Sequence, residues 1–431
     1  MYSETTVSNL VAVLVERDPR PLLELLDRPF RSDATYETRR EDFSLADASR
    51  NFLDVAFYEN QIPLAALELK VGAGWHGDQA SRYEDWANET KADPRLLFLT
   101  PLGLDYGESE SWTRLTLGDF FSGWSESDDQ LARLLSEEMR RETLRWTQDL
   151  PNTRLSSLPS RTDAIMALRL VSNTLLTTQW AASVALQAGE HFTINGPNPA
   201  TYHWAAHPDP ALVDTFLEVD IRSGSSDKSP WQVRVGVDVE PVLTATQLEG
   251  LLSAPRVAEA QSRFDAACAA ERNSASVTPN SAVAKARRSA AKELKSATTS
   301  LNAERGALRT ELGAPRSRQL AQAVLGGWSI DQIREELSDA GLPGIANAII
   351  LPTSAHRLRG LKTKHEFYLD LGGRQRFIMF EIAPEDIEAR QIGDLIVWAL
   401  DALRSRAACQ SDTAHVASAL TAEDIRDLPA G

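Results

Sequence analysis

Hydrophobic and polar positions divide the N-terminal hundred residues into short elements. Between residues 8 and 26, Leu10, Val13, Leu14, Leu22, Leu23 and Leu26 follow a 3.6-residue stripe broken at Asp18-Pro19, which predicts two helical pieces packed on a sheet. Residues 51–58 and 62–71 are strand-like runs separated by Glu59-Asn60-Gln61, a spacing suited to a hairpin with a three-residue or slightly longer loop. Pro63 stands near the start of the second run, where a strand tolerates it. Gly72, Gly74 and Gly77 break the pattern, and residues 78–90 then read as a helix with Tyr83 and Trp86 on one side. Residues 95–100 form a short apolar run ending at Pro101, the pattern of a buried strand. An earlier strand falls at 34–40 or 43–46.

Farther on, residues 129–147 and 161–187 are helical by pattern and bridge two halves of the chain. Residues 216–222 and 231–239 alternate around Ser223-Gly224-Ser225-Ser226-Asp227, and residues 366–371 and 376–382 around Gly372-Gly373, so each pair predicts a hairpin. Between them, 245–270 and 281–312 read as two antiparallel helices joined by a polar loop at 273–280, with Leu294, Leu301 and Leu308 seven apart as a coiled-coil seam. Residues 391–408 supply a last helix. The expected organisation is mixed α/β (α+β): a first domain at 1–150, a helical connector at 151–210, an α+β domain at 211–410 carrying a helical arm at 245–312, and a tail at 411–431.

Composition narrows the class. A chain of 431 residues with 42% hydrophobic and 25% charged residues is long enough for two or three domains and is neither fibrous nor wholly disordered. Cys268 and Cys409 lie far apart with no Cys-x-x-Cys, which argues against a zinc knuckle or a disulfide framework. No basic leader precedes an apolar run and no run is long enough to span a bilayer, so the expectation is a cytoplasmic protein with no membrane partner. The net charge of −16 opposes nucleic-acid binding by the molecule as a whole. Residues 281–318, with nine Lys/Arg against three Glu, and 352–376, with six against two, are the local exceptions.

The chemistry concentrates in Asp54, Glu68 and Lys70. A hairpin centred on Gln61 sets Asp54 directly across from Glu68, and Lys70 shares their face by the two-residue period of a strand. Two opposed carboxylates repel, which pushes one towards its neutral form unless a cation lies between them. Oxygen-only ligands select a hard ion such as Mg²⁺, with Mn²⁺ as a substitute, and such ions activate water and neutralise charge during phosphodiester hydrolysis. An adjacent ammonium helps to place the attacking water. A solvated cross-strand ion pair is the ordinary reading of Glu-x-Lys, but here residues 64–71 are otherwise almost wholly apolar, and charges amid buried strand residues need a reason.

These residues, with Gln79-Ala-Ser-Arg82-Tyr83 opening the next helix, resemble the PD-(D/E)xK nuclease superfamily. The resemblance covers about a quarter of the chain. It implies a restriction-endonuclease-like αβββαβ core, metal ligation by Asp54 and Glu68, action of Lys70 on the attacking water, and support of water or phosphate by Gln79. One bacterial branch of that superfamily begins with a Glu on the first helix. Glu4, Ser8, residues 10–15 and Asp18-Pro19 look like that pattern, which makes Glu4 the candidate for an additional acid at the metal, with Glu37 or Glu41 as alternatives. Leu53 stands where the motif's Pro would be, and the insert Gly72–Gly77, with Trp75 and His76 inside it, is not required by the family.

Residues 1–110 hold eleven Lys/Arg against twenty-one Asp/Glu, so the nuclease-like part needs help to hold a polyanion. Arg82 and Tyr83, on the helical face of Gln79, are candidates to reach phosphate, although core packing is as good an account of Tyr83. Farther along, Arg287 and Arg288 belong to a basic helical run, and Arg357, Arg359, Lys362 and Lys364 form a cationic segment beside Phe367 and Tyr368. The expected function is a metal-dependent nuclease acting on nucleic acid, foremost DNA, in prokaryotic phage defence, restriction or repair. The rivals are a catalytically silent scaffold of the same fold that binds nucleic acid or a protein, and an interaction protein whose arm mediates homo-oligomer or partner assembly.

Overall fold

The computed structural model describes residues 4–43, 52–71, 79–90, 92–103, 111–158, 160–190, 200–209, 212–224, 229–252, 255–272, 282–351, 368–371 and 373–411. Within them the chain begins with α1 (Glu4–Arg17) and α2 (Arg20–Leu25), divided at Asp18-Pro19 as the broken stripe implies. Then come β1 (Tyr36–Phe43), β2 (Phe52–Glu59), β3 (Ile62–Leu69), α3 (Gln79–Glu89), β4 (Arg95–Thr100) and β5 (Trp112–Thr116). The five strands form one sheet in that order. β1, β2 and β3 are antiparallel neighbours, whereas β3, β4 and β5 run parallel.

This sheet is covered on both faces. Val55, Phe57, Leu67 and Leu69 point into the principal core with Val11 and Leu14 of α1. The alternate residues Ala56, Tyr58, Ala66, Leu96 and Phe98 meet Tyr83 and Trp86 of α3 and Trp112 of β5 in a second, smaller core. Such two-sided burial explains why β3 and β4 read as nearly continuous apolar runs.

After β5 the chain forms α4 (Leu117–Ser122), α5 (Gln130–Leu144), α6 (Arg161–Leu176) and α7 (Gln179–Val184), then β6 (Gln187–Glu190), β7 (Thr201–Ala206), β8 (Thr215–Arg222) and β9 (Trp231–Val239). The single helix expected over 161–187 is interrupted at Thr178, whose side chain accepts a hydrogen bond from Ala181 N and so caps a new helix. The stretch expected as a helical connector also contains β6 and β7, which extend a second sheet. Their four and six residues are too short for a clear alternating pattern, and pairing with β8 decides their conformation.

The arm consists of α8 (Ala245–Leu252), α9 (Pro255–Arg272) and α10 (Ala282–Leu325), and it is followed by α11 (Ile330–Asp339), α12 (Pro343–Ala348), β10 (Ile349–Ile350), β11 (Tyr368–Leu371), β12 (Gln375–Ile382) and α13 (Gln391–Ser411). The second sheet runs β10-β12-β9-β8-β7-β6, with β11 also paired to β12. Both hairpins expected here are present as β8–β9 and β11–β12. α10 runs 13 residues beyond the expected end at 312, through Pro315, and at 1.5 Å per residue its 44 residues reach about 66 Å. It crosses the end of the second sheet at Gly313, where an added Cβ would lie 2.6 Å from the Val239 carbonyl oxygen. Arg309 to Glu240 at 2.9 Å and Arg316 to Asp214 at 2.6 Å fasten the crossing on either side of that glycine.

One continuous hydrophobic core joins the two sheets, from Val7 of α1 through Trp146 and Leu155 to Leu403 of α13. Backbone bonds reinforce the junction near residue 150: Leu155 N donates to Ile387 O, Ser156 N to Pro384 O and Ala389 N to Thr153 O. The molecule is of mixed α and β class, and no helix among the described residues is long and apolar enough to cross a membrane.

Candidate active site

The site begins with a turn and a bulge. Asn60 and Gln61 take positive φ values of 50° and 71°, the backbone of a two-residue hairpin turn, and Thr35 N donates to Asn60 Oδ1. Next to the turn Glu59 pairs with Ile62 and Tyr58 with Pro63; beyond it Phe57 pairs with Ala65 and Val55 with Leu67. The extra residue, Leu64, is a β-bulge that advances the register by one. Continuing the shifted register by one residue sets Asp54 across from Glu68. The expected juxtaposition is therefore present, produced by a tighter turn plus a bulge instead of a three-residue loop.

The side chains converge at the edge of the small core under α3. Glu68 is fully buried, Lys70 is 4% exposed, and Lys70 Nζ lies 2.6 Å from Glu68 Oε1. Lys70 follows directly on β3 and is fixed through its backbone, whose N–H donates to Leu99 O of β4 at 3.0 Å. The Tyr83 hydroxyl donates to Glu68 Oε2 and accepts from the Asp54 backbone N–H at 3.0 Å. Asp54 Oδ2 accepts from Leu69 N at 2.9 Å. Asp54 and Glu68 also share a hydrogen bond between their carboxyl groups.

Electrostatics follow from this crowding. Burial, then the negative charge of Glu68, pushes Asp54 up to about 7, against the opposing effects of the Leu69 N–H and the Lys70 ammonium. Burial and the neighbouring Glu68 likewise raise the Tyr83 phenol well above its ordinary value, so it stays a donor at neutral pH. Glu68 meets an ammonium on one oxygen and a phenol on the other.

Tyr83 is held from behind. Trp112 packs on its ring at 5.4 Å between centroids and meets Phe98 edge-on at 6.2 Å. The Trp112 indole N–H in turn donates to Glu84 Oε1 at 3.1 Å. At 2% exposure Tyr83 takes the core-packing alternative rather than the phosphate-facing one, because its hydroxyl is the donor that the buried Glu68 requires. The supporting role of Trp112 is the part that sequence reasoning missed. The available signal was a Trp opening a strand parallel to an already buried one.

The remaining expectations divide by placement. Glu4 and Gln79 open α1 and α3, and Arg82 lies on α3, but their side chains lie outside the described residues. Trp75, His76, Arg357, Arg359, Lys362 and Lys364 also lie outside them. Of the alternative acids, Glu37 pairs with Tyr58 and forms an ion pair with Arg39 at 2.5 Å, which places it four pairs along the ladder from the level of Asp54 on the same face. Glu41 holds the strand position across from Asp54, between the Arg40–Val55 and Asp42–Leu53 pairs. Arg287 and Arg288 are exposed on α10.

Among the described residues no group of three or more His, Cys, Asp or Glu side chains is arranged to hold a metal ion. The Asp54–Glu68 pair nevertheless suits a hard divalent cation: both ligands are carboxylates, and together they keep a proton that such an ion would displace. Comparison with known proteins gave no family-model match, no similar curated protein and no similar solved structure.

Proposed function

We propose that this chain is a metal-dependent nuclease of restriction-endonuclease-like fold that hydrolyses phosphodiester bonds, foremost in DNA, in prokaryotic phage defence, restriction or repair. The observation that carries the reading is the meeting of Asp54, Glu68 and Lys70 on one sheet face, a half-buried and a fully buried carboxyl group beside an ammonium. The order α1–α2–β1–β2–β3–α3–β4 supports it, with α1 and α2 together in the place of the first helix of the succession that the sequence resemblance implies.

In this reading Asp54 and Glu68 hold Mg²⁺ or Mn²⁺, which when bound supplies a water of lowered pKa and positive charge at the phosphoryl group. Lys70 orients the attacking water and offsets negative charge as it develops. Tyr83 fixes the Glu68 carboxylate through its hydroxyl, and the Trp112 ring keeps Tyr83 in place. Gln79, at the start of α3, is the proposed support for water or phosphate.

The test is incubation of the full chain with labelled single- and double-stranded DNA and RNA plus Mg²⁺ or Mn²⁺, wild type against Lys70→Ala, with folding of the variant verified by circular dichroism. Cleavage that is abolished by EDTA and falls at least about 10²-fold in the variant is expected, the usual scale for losing a group that assists proton transfer. Equal cleavage by both proteins places the site elsewhere. Absence of cleavage on every substrate makes the chain a silent scaffold.

A further inference from the structure

The nuclease reading leaves one need unmet, since residues 1–110 carry eleven Lys/Arg against twenty-one Asp/Glu, a balance that opposes a polyanionic substrate. The arm offers such a surface. On α10, Lys285, Arg288, Lys292 and Lys295 follow a three-four-three spacing, which at about 100° per residue gathers them into one stripe about 15 Å long. All four positions are exposed.

The opposite side of the same helix is taken by α9. Ala290 and Leu301 are buried there and Leu294 is half-buried, the seam expected from the seven-residue spacing. Between residues 282 and 303 the sole acid is Glu293, and it is turned towards α9, where it pairs with Arg263 at 3.2 Å. The apolar positions of this segment thus face α9, and the four cations of the stripe lie on the other side. Arg287, singled out by sequence along with Arg288, falls off the stripe towards the α9 side by the same angular count. In a molecule of net charge −16, a line of four exposed cations is complementary to a regular line of negative charge.

We infer that this stripe is the docking surface for the phosphate backbone of the nucleic acid. The inference rests on the nuclease reading for its choice of partner and assigns the arm the task of sequence-independent grip. Duplex DNA carries a negative charge about every 1.7 Å of its axis, so a 15 Å stripe always faces several phosphates whatever the sequence. The contacts position the substrate and read no bases.

The experiment measures binding in EDTA, so that cleavage plays no part, by fluorescence anisotropy with a labelled DNA duplex and with a single strand. It compares the wild-type full chain with Lys285→Gln/Arg288→Gln/Lys292→Gln/Lys295→Gln and with a control of equal net charge, Arg28→Gln/Arg31→Gln/Arg140→Gln/Arg141→Gln. Each phosphate contact contributes about 0.9 to the slope of log affinity against log salt on duplex DNA, so four contribute between 3 and 4, roughly. Raising salt about fourfold is then expected to weaken the wild type about 10²-fold more than the stripe variant, while the control keeps a near-wild-type slope.

Equal slopes in the stripe variant and the wild type overturn the inference and leave the nuclease reading to the Lys70→Ala test. The same holds if the stripe variant loses self-association in sedimentation but binds DNA as before, because the partner is then a second copy. Loss of salt-sensitive binding in the stripe variant supports the inference even where no cleavage is detected.

Discussion

At the scale of single residues, the position of one proton governs what the site can hold. Asp54 keeps its proton up to about pH 7 in the fold, well above the ordinary value of 3.8. The folded state therefore binds more protons than the unfolded chain between those values, and the contribution of Asp54 to stability falls as pH rises through that window, by up to about 1.4 kcal/mol per unit. Glu218 and Asp238, raised chiefly by burial in the second sheet, act in the same direction, so the wild-type curve mixes all three. The difference between wild type and Asp54→Asn isolates the site. Thermal unfolding from pH 5 to pH 8 is expected to show the variant gaining on the wild type as pH rises. A divalent cation competes with the same proton, so added Mn²⁺ is expected to raise the melting temperature of the wild type more at pH 8 than at pH 6, and that of Asp54→Asn little at either. An Mn²⁺ shift that is independent of pH separates the metal from Asp54.

Elements set the distances between such residues, and two glycines of α10 show how differently one residue type is used. Gly306 is in the open helix with nothing within 4 Å of an added Cβ, whereas at Gly313 the Val239 carbonyl is 2.6 Å away. Gly306→Ala is expected to stabilise the chain by about 0.5–1 kcal/mol through helix propensity alone. Gly313→Ala is expected to destabilise it, because backbone on the second sheet must give way. Paired melting curves of the two variants test both signs. The hairpin that builds the site carries a related lesson. Its register was legible from the positions of Asp54 and Glu68, yet its turn was not: a three-residue loop and a two-residue turn with a bulge give the same alignment at Val55–Leu67, and sequence alternation reports only the alignment. Strands β6 and β7 were illegible for another reason, since four and six residues carry too little alternation to read and pairing with the next strand decides their conformation.

For the whole molecule, the division near residue 150 expected from pattern coincides with no break in the core, because Trp146, Leu150 and Leu155 belong to the same packed cluster as Leu395 and Leu403. Local periodicity reports which residues are buried and is silent on which element buries them. A chain ending at residue 150 is accordingly expected not to fold alone, and the intact protein to unfold in one cooperative transition. Two separated calorimetric transitions, or a dispersed amide spectrum from the 1–150 fragment, count against this. The long helix α10 adds a mechanical consequence. It is at once the outer rail of the arm and, through Arg309 and Arg316, a strut bolted to the rim of the second sheet. A load applied at its far tip arrives as a bending moment at Gly313, where helix backbone meets the Val239 carbonyl of the strand directly, so a pull on the arm is felt in the body of the protein.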